Sequence, residues 1–200
     1  WPVTHGWTIV DYYFRKKLSY HPVRKAFQPI TVVVAEEGSS INIYGINDSP
    51  DEWKGSLRYG IFETNGKLPL DKNLEVMLVP LQSTILASFS KQTLETMGIS
   101  KHGAFAVLSA NGRTISQHKY FLTRMTDIEL YKPDIKIQYN GNTAILKSDT
   151  YVWGVCLDLN GESGVQDNAF DLLPGIPYQV AVSKGEKLQI LKTGNNLLKK

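Results

Sequence analysis

Cysteine is nearly absent from this 200-residue sequence: Cys156 stands alone, so neither an internal disulfide framework nor a thiolate zinc cage is possible. No apolar run approaches the roughly 18 residues of a membrane span, and there is no charged-then-apolar leader of the signal-peptide kind. Dense positive charge is missing as well. The net charge is only +3, and residues 1–29 hold five bases (Arg15, Lys16, Lys17, Arg24, Lys25) against one acid, Asp11. The other 171 residues carry 17 bases and 18 acids, without the basic face that phosphate neutralisation requires. Neither nucleic acid nor membrane is an expected partner. Phosphate-binding loops, the Gly-x-Ser-x-Gly elbow and paired metal-ligating histidines are also lacking, so no metal and no cofactor is expected.

What the sequence does contain is strand material. Domains mostly run about 100–150 residues, so this length suits two modest domains or one large sandwich. A single short helix is predicted at Ser19–Phe27, with Ser19 as N-cap, Pro22 in the first turn, and Val23, Ala26 and Phe27 as its apolar face. From Ile30 on, runs of β-branched and aromatic residues broken by Gly, Asn, Asp and Pro predict an all-β protein. Seven strands, within 30–36, 41–47, 55–64, 74–79, 84–89, 104–110 and 113–122, suit one immunoglobulin-like β-sandwich, with a helical turn over Lys91–Gly98. A smaller set, within 128–130, 134–139, 143–148, 151–158, 178–183 and 188–192, suits a second. In the run 151–158 both faces are largely apolar, which predicts a central strand and a packed Cys156 thiol. Asn65-Gly66, Asn111-Gly112 and Asn140-Gly141 are hairpin signals, since a type I′ turn needs positive φ at both central residues.

Two stretches are more specific. The opening Trp1-Pro2-Val3-Thr4-His5-Gly6-Trp7, then Asp11-Tyr12-Tyr13, Lys17, Tyr20 and Arg24 to Pro29, resembles the last strand and helix of the catalytic (β/α)8 barrel of family-two glycoside hydrolases. The run Tyr151 to Asp158, followed by Asp167-Asn168-Ala169-Phe170-Asp171-Leu172-Leu173-Pro174-Gly175, is similar to the last domain of the β-mannosidase branch. Five residues separate Trp1 from Trp7 where many β-mannosidases place four, the Asp-Tyr-Tyr-Phe-Arg run also resembles exo-β-glucosaminidases, and a β-galactosidase-like parent is a further alternative. The resemblance implies a domain order of 1–29 barrel end, 30–124 immunoglobulin-like sandwich and 125–200 smaller C-terminal sandwich. It implies a retaining parent enzyme acting on β-linked oligosaccharides, with the chain packed against its own upstream barrel. Export to the periplasm or beyond is the favoured location.

Retaining chemistry needs two carboxyl groups about 5–5.5 Å apart, and the family places both glutamates on barrel strands upstream of Trp1. The chain alone is therefore expected to be inert, with no catalytic residue of its own. Trp1 and His5 are the residues implied to contact sugar in the intact enzyme. The competing reading is a carbohydrate-binding module, in which Trp53, with Tyr44 and Tyr59, forms an exposed aromatic platform. Tyr59 alternates in phase with Leu57 and Ile61, which points it into a core instead. Two motifs carry little: Asp158-Leu159-Asn160-Gly161-Glu162 lacks the ligand spacing of a calcium loop, and Asn47-Asp48-Ser49 meets the glycosylation rule by a pattern common by chance.

Overall fold

The computed structural model describes residues 8–197 and divides into two compact units: Gln28–Tyr131, and a second made of the N-terminal segment up to Phe27 together with Lys132 onward. Each is β-rich, as the sequence predicts.

In the first unit the strands are β1 (Ile30–Glu37), β2 (Ser40–Asn47), β3 (Trp53–Glu63), β4 (Leu70–Leu78), β5 (Gln82–Ser90), β6 (His102–Ala110) and β7 (Arg113–Tyr120). They form a three-stranded sheet β1-β2-β5 facing a four-stranded sheet β4-β3-β6-β7, antiparallel throughout. This is an immunoglobulin-like sandwich. Period-two alternation supplies the core: Val32 and Val34 of β1 and Ile41 and Ile43 of β2 meet Leu57, Tyr59 and Ile61 of β3 and Ala104, Ala106 and Leu108 of β6. The helical turn expected over Lys91–Gly98 forms as a short helix, Lys91–Met97, which inserts the fully buried Leu94 into the same core.

The two sheets are also joined along one seam. The outward N–H groups of Val32 and Val34 on β1 donate to Ser116 Oγ (3.2 Å) and His118 Nδ1 (3.1 Å) on β7. Because Nδ1 accepts here, the ring proton of neutral His118 sits on Nε2. Further along, Tyr120 donates its hydroxyl to Glu36 (2.7 Å), and Lys91 donates to the other oxygen of the same carboxylate (2.6 Å). Burial and that carboxylate raise the Tyr120 phenol from 10.0 to about 12.

Of the three Asn-Gly turns, only Asn111-Gly112 has positive φ at both residues (51° and 72°). At Asn65-Gly66 and Asn140-Gly141 the glycine alone is left-handed, and the β8–β9 loop is Gly141-Asn142, one residue later than the dipeptide suggests. The pairing registers decide this, because Asn140 itself still pairs with Thr143.

The second unit is smaller. Its sheets are β8 (Ile135–Asn140), β9 (Thr143–Ser148) and β12 (Tyr178–Ala181), in the order β12-β9-β8, and a two-stranded pair of β10 (Val152–Val155) with β11 (Phe170–Leu172). Between them lie Ala144, Leu146, Val152, Val155, Leu157, Phe170, Leu172, Tyr178 and Val180. Here the structure departs from the pattern. The expected strand over 151–158 is interrupted at Gly154 (φ 59°), with a register shift between Val152 and Val155. The bulge explains why both its faces read as apolar: Val152 and Val155, three apart, both reach the core. Cys156 is buried, as expected, and makes an isolated bridge to Lys192 where a strand over 188–192 was predicted. Residues 128–130 likewise form no strand, and a short 3-10 turn over Met125–Asp127 precedes them. β11 was not legible, being three residues long.

The chain's first helix, Tyr20–Ala26, lies in this second unit. Ser19 precedes it but makes no side-chain cap bond. Its apolar face is not the buried one: Phe27 is 84% exposed and Ala26 exposed, whereas His21 is 2% exposed and Lys25 partly buried. The side that faces protein is therefore the polar i, i+4 pair.

Leu108 is fully buried between the sheets of the first unit. Leu108→Ala is expected to cost about 2–5 kcal/mol, read as a lower denaturation midpoint for that unit. A conservative Leu108→Met change should cost less than about 1.5 kcal/mol.

Candidate functional site

Trp1 and His5 lie outside the described residues. Trp53 opens β3 rather than standing in a turn, opposite Leu78 of β4, and is half-buried against the first core. Its ring lies where a β-carbon on Gly55 would come within 2.4 Å. Tyr44 sits on β2 of the other sheet and donates its hydroxyl to Glu37 (2.6 Å), while Tyr59 is buried, as its alternation indicates. The three aromatics thus do not share one exposed surface. Asn47 is fully buried, with its amide donating to the carbonyls of Asp51 (2.9 Å) and Leu78 (3.0 Å), so the sequon's nitrogen is occupied by backbone.

In the run Asp167 to Leu173 polar and buried apolar side chains have separate tasks. Asn168 is 1% exposed; its carbonyl accepts from the Leu157 N–H (2.8 Å) and its amide donates to the Asp158 carbonyl (2.6 Å). In this way one side chain completes the backbone pairing that β10 loses after its bulge. Ala169 takes a left-handed φ of 52°, which turns Phe170 inward and Asp171 toward β10. The Asp171 carboxylate accepts from the Gly154 N–H (2.8 Å) and from the hydroxyl of the fully buried Tyr151 (3.2 Å). Burial, and then Asp171, push the Tyr151 phenol well above its ordinary range. Leu172 and Leu173 are buried. From the other side, Asn195 accepts from the Trp153 N–H (2.8 Å) and donates to the Tyr151 carbonyl (3.0 Å).

Asp167 begins this run and looks the other way, toward the N-terminal segment. It accepts the hydroxyl of Tyr178 and lies 3.1 Å from Lys25 Nζ. Lys25 also donates to the Tyr178 hydroxyl (2.7 Å) and stands over the Phe170 and Tyr178 rings at 5.4 and 5.2 Å. Those rings are stacked on each other, 4.2 Å apart and 6° from parallel. An ammonium so placed is satisfied by one carboxylate, one hydroxyl and two π faces. Burial lowers the Lys25 pKa and Asp167 works against that; burial and Asp167 together push the Tyr178 phenol well above its ordinary range.

A second contact fixes the same segment. Asp11 organises a turn by accepting from the N–H groups of Tyr13 and Arg15 (both 2.9 Å) and from Arg15 Nε (2.6 Å). Arg15 also reaches across to Glu162 (2.9 Å). Glu162 belongs to the loop after Asp158, whose carboxylate takes the N–H groups of Asn160, Gly161 and Ser163 and the Ser163 hydroxyl. Burial alone would raise the Asp158 pKa, and these bonds outweigh it, holding it below the usual carboxylate range. Its oxygens are thus committed to the turn. Among the described residues no group of three or more His, Cys, Asp and Glu side chains is placed to hold a metal ion. Gly161 (φ 73°) lies so close to Lys16 that an added β-carbon would sit 2.4 Å from its carbonyl oxygen. The turn presents Tyr12, Tyr13 and Phe14 outward, 66%, 60% and 86% exposed, Phe14 at a left-handed φ of 60°.

Sequence reasoning singled out the Asp167 run by its resemblance but not its chemical work, and it missed His21 and Lys25 altogether. Their i, i+4 spacing on a helix was the available signal.

The fold and this architecture define the class: two immunoglobulin-like domains in succession. Residues 39–127 match the model of the mannosidase Ig/CBM-like domain, and residues 130–197 match the mannosidase-type Ig-fold domain. The chain thus carries two mannosidase-type immunoglobulin-like domains in succession. Its fold is similar to that of the β-D-mannosidase from Dictyoglomus thermophilum (24% identity, TM-score 0.75), over 96% of this chain and 23% of that one. It is also similar to the exo-chitosanase of Amycolatopsis orientalis (16% identity, TM-score 0.60), over 87% of this chain and 26% of that one. The chain thus spans about a quarter of the length of these enzymes. No curated protein sequence matches it significantly.

Two substitutions test the site. Asn168→Ala leaves the Leu157 N–H and the Asp158 carbonyl without their partner and is expected to cost about 1–3 kcal/mol per buried group left unpaired, measured by denaturation. Gly161→Ala forces a side chain into a left-handed position against Lys16, at a cost of about 1–3 kcal/mol. Hydrogen exchange in the second unit should locate that loss at residues 8–18 and 158–163 rather than in its sheets.

Proposed function

We propose that the chain is the accessory C-terminal region of a retaining β-mannosidase-like glycosidase, and that it acts by holding the end of the catalytic barrel in place. One observation carries this reading: the N-terminal segment, which resembles the barrel's last strand and helix, is seated on the C-terminal sandwich through Lys25 and Arg15. Its aromatic residues Tyr12, Tyr13, Phe14 and Phe27 are left outward, as a piece of a larger core would leave them.

On this reading residues 1–29 complete the barrel, 30–124 form the middle sandwich and 125–200 the last one. The substrate is a β-linked oligosaccharide, in line with the β-D-mannosidase and the exo-chitosanase whose folds are similar, and sugar identity is set in the barrel. Trp1 offers its indole face to the sugar, which suits the apolar C–H face of a pyranose, and His5 contacts it from the same loop. Both catalytic glutamates lie upstream, so the chain by itself holds the scaffold without the chemistry.

The purified chain is expected to leave an aryl β-mannoside unhydrolysed, while the same chain joined to a barrel bearing two suitably spaced glutamates hydrolyses it. Turnover by the chain alone would overturn the reading. Titration of the purified chain with mannosides should leave the tryptophan fluorescence unchanged, because Trp53 packs against the first core without an aromatic platform beside it and Trp1 meets sugar only in the intact enzyme. A saturable change lost in Trp53→Ala would favour the carbohydrate-binding alternative.

A further inference from the structure

The contact between the first helix and the C-terminal sandwich is built around a group that simple packing would not select. His21 is 2% exposed, and its Nδ1 has no hydrogen-bond partner among the described residues. Nδ1 lies 4.0 Å from Asp167 Oδ1, just beyond bonding distance. That carboxylate already serves Lys25 and the Tyr178 hydroxyl. The Tyr20 ring stands edge-on to the imidazole, 5.4 Å away. An unpaired polar atom in such a place is costly, and an apolar side chain would fill the space without that cost.

We propose that His21, Lys25, Asp167 and Tyr178 form an acid-released latch, which clasps the N-terminal segment to the C-terminal sandwich while His21 is neutral and lets it go when His21 takes up a proton.

The charges around the ring set the direction. From its own helix it faces Arg24 and Lys25, from the preceding segment Lys16, and from the sandwich Asp167, with Asp171 behind Lys25 and Tyr178. One carboxylate is thus already shared by an ammonium and a phenol, among three cations. A proton on His21 adds a fourth cation that is cut off from water and has to compete with Lys25 for Asp167. Burial holds the imidazole below its ordinary 6.5; Asp167 opposes this, and Arg24, Lys25 and Lys16 reinforce it. The seated helix therefore binds the proton less readily than the released helix does. Its docking is full above about pH 6.5 and weakens as the pH falls below it.

The latch is a property of this chain, and only its consequence for a barrel rests on the function proposed above. Hydrogen exchange of the full chain, corrected for intrinsic rates, tests it at about pH 7.5 and about pH 5. The amides of residues 20–27 are expected to lose at least about tenfold protection at the lower pH, with those of 28–131 unchanged. In His21→Phe, which keeps the ring and removes the titration, protection of 20–27 should be the same at both pH values. In Lys25→Met it should be low at both. If His21→Phe also loosens residues 132–197, His21→Gln replaces it, with the same expectation. Equal protection of the wild-type segment at both pH values, or a pH response that survives in the non-titrating variant, overturns the proposal. Neither result bears on whether a joined barrel hydrolyses a mannoside, so the two readings fail separately.

Discussion

A small sandwich must satisfy a backbone that its few short strands cannot pair, and the second unit depends on how it meets this requirement. Buried N–H and C=O groups are nearly always bonded, because leaving one unpaired costs as much as a hydrogen bond contributes. With β10 broken by a bulge and β11 only three residues long, the sheet ladder falls short. Asn168, Asp171 and Asn195 act as substitute backbone, each binding main-chain groups on or beside β10. The loop after Asp158 repeats the device with one carboxylate and four donors. These side chains have fixed lengths, so they also fix where Asp167 points. The seat for the first helix is in this sense a by-product of repairing a strand.

The first unit meets the same requirement in the ordinary way. Its strands are eight to eleven residues long and pair along nearly their whole length, with single register shifts in β2–β5 and β6–β7, leaving the alternation of apolar residues to build the core. Its stabilisation is accordingly hydrophobic and spread over a dozen residues. The second unit has an apolar core of its own and adds to it a few polar side chains, whose loss leaves buried groups unpaired.

This contrast governs how much could be read from the sequence. All seven strands of the first unit, and the helical turn before β6, follow from alternation and turn chemistry, with ends shifted by a few residues. In the second unit β8, β9 and β12 were legible for the same reason. The run 151–158 was not, since a left-handed Gly154 resets the alternation and nothing local announces it. A strand of three residues gives alternation no room to show. The first helix was found, but its buried side was misread: Val23, Ala26 and Phe27 have helical spacing, yet the partner surface is aromatic and acidic and selects Lys25. Site residues suffer most from this, because what makes Asp167 and Lys25 partners is a fold that brings together positions 142 apart.

The seam between β1 and β7 has a bearing on how the molecule meets others of its kind. A strand at the border of a sheet offers free N–H and C=O groups, a template on which a foreign strand can grow. Ser116 and His118 have already claimed the N–H groups of Val32 and Val34. That border is closed to strand addition, and closed by side chains of the neighbouring sheet rather than by charge or proline. The sandwich behaves along this line like a barrel that has been stitched shut, so runaway sheet growth is denied its first foothold there.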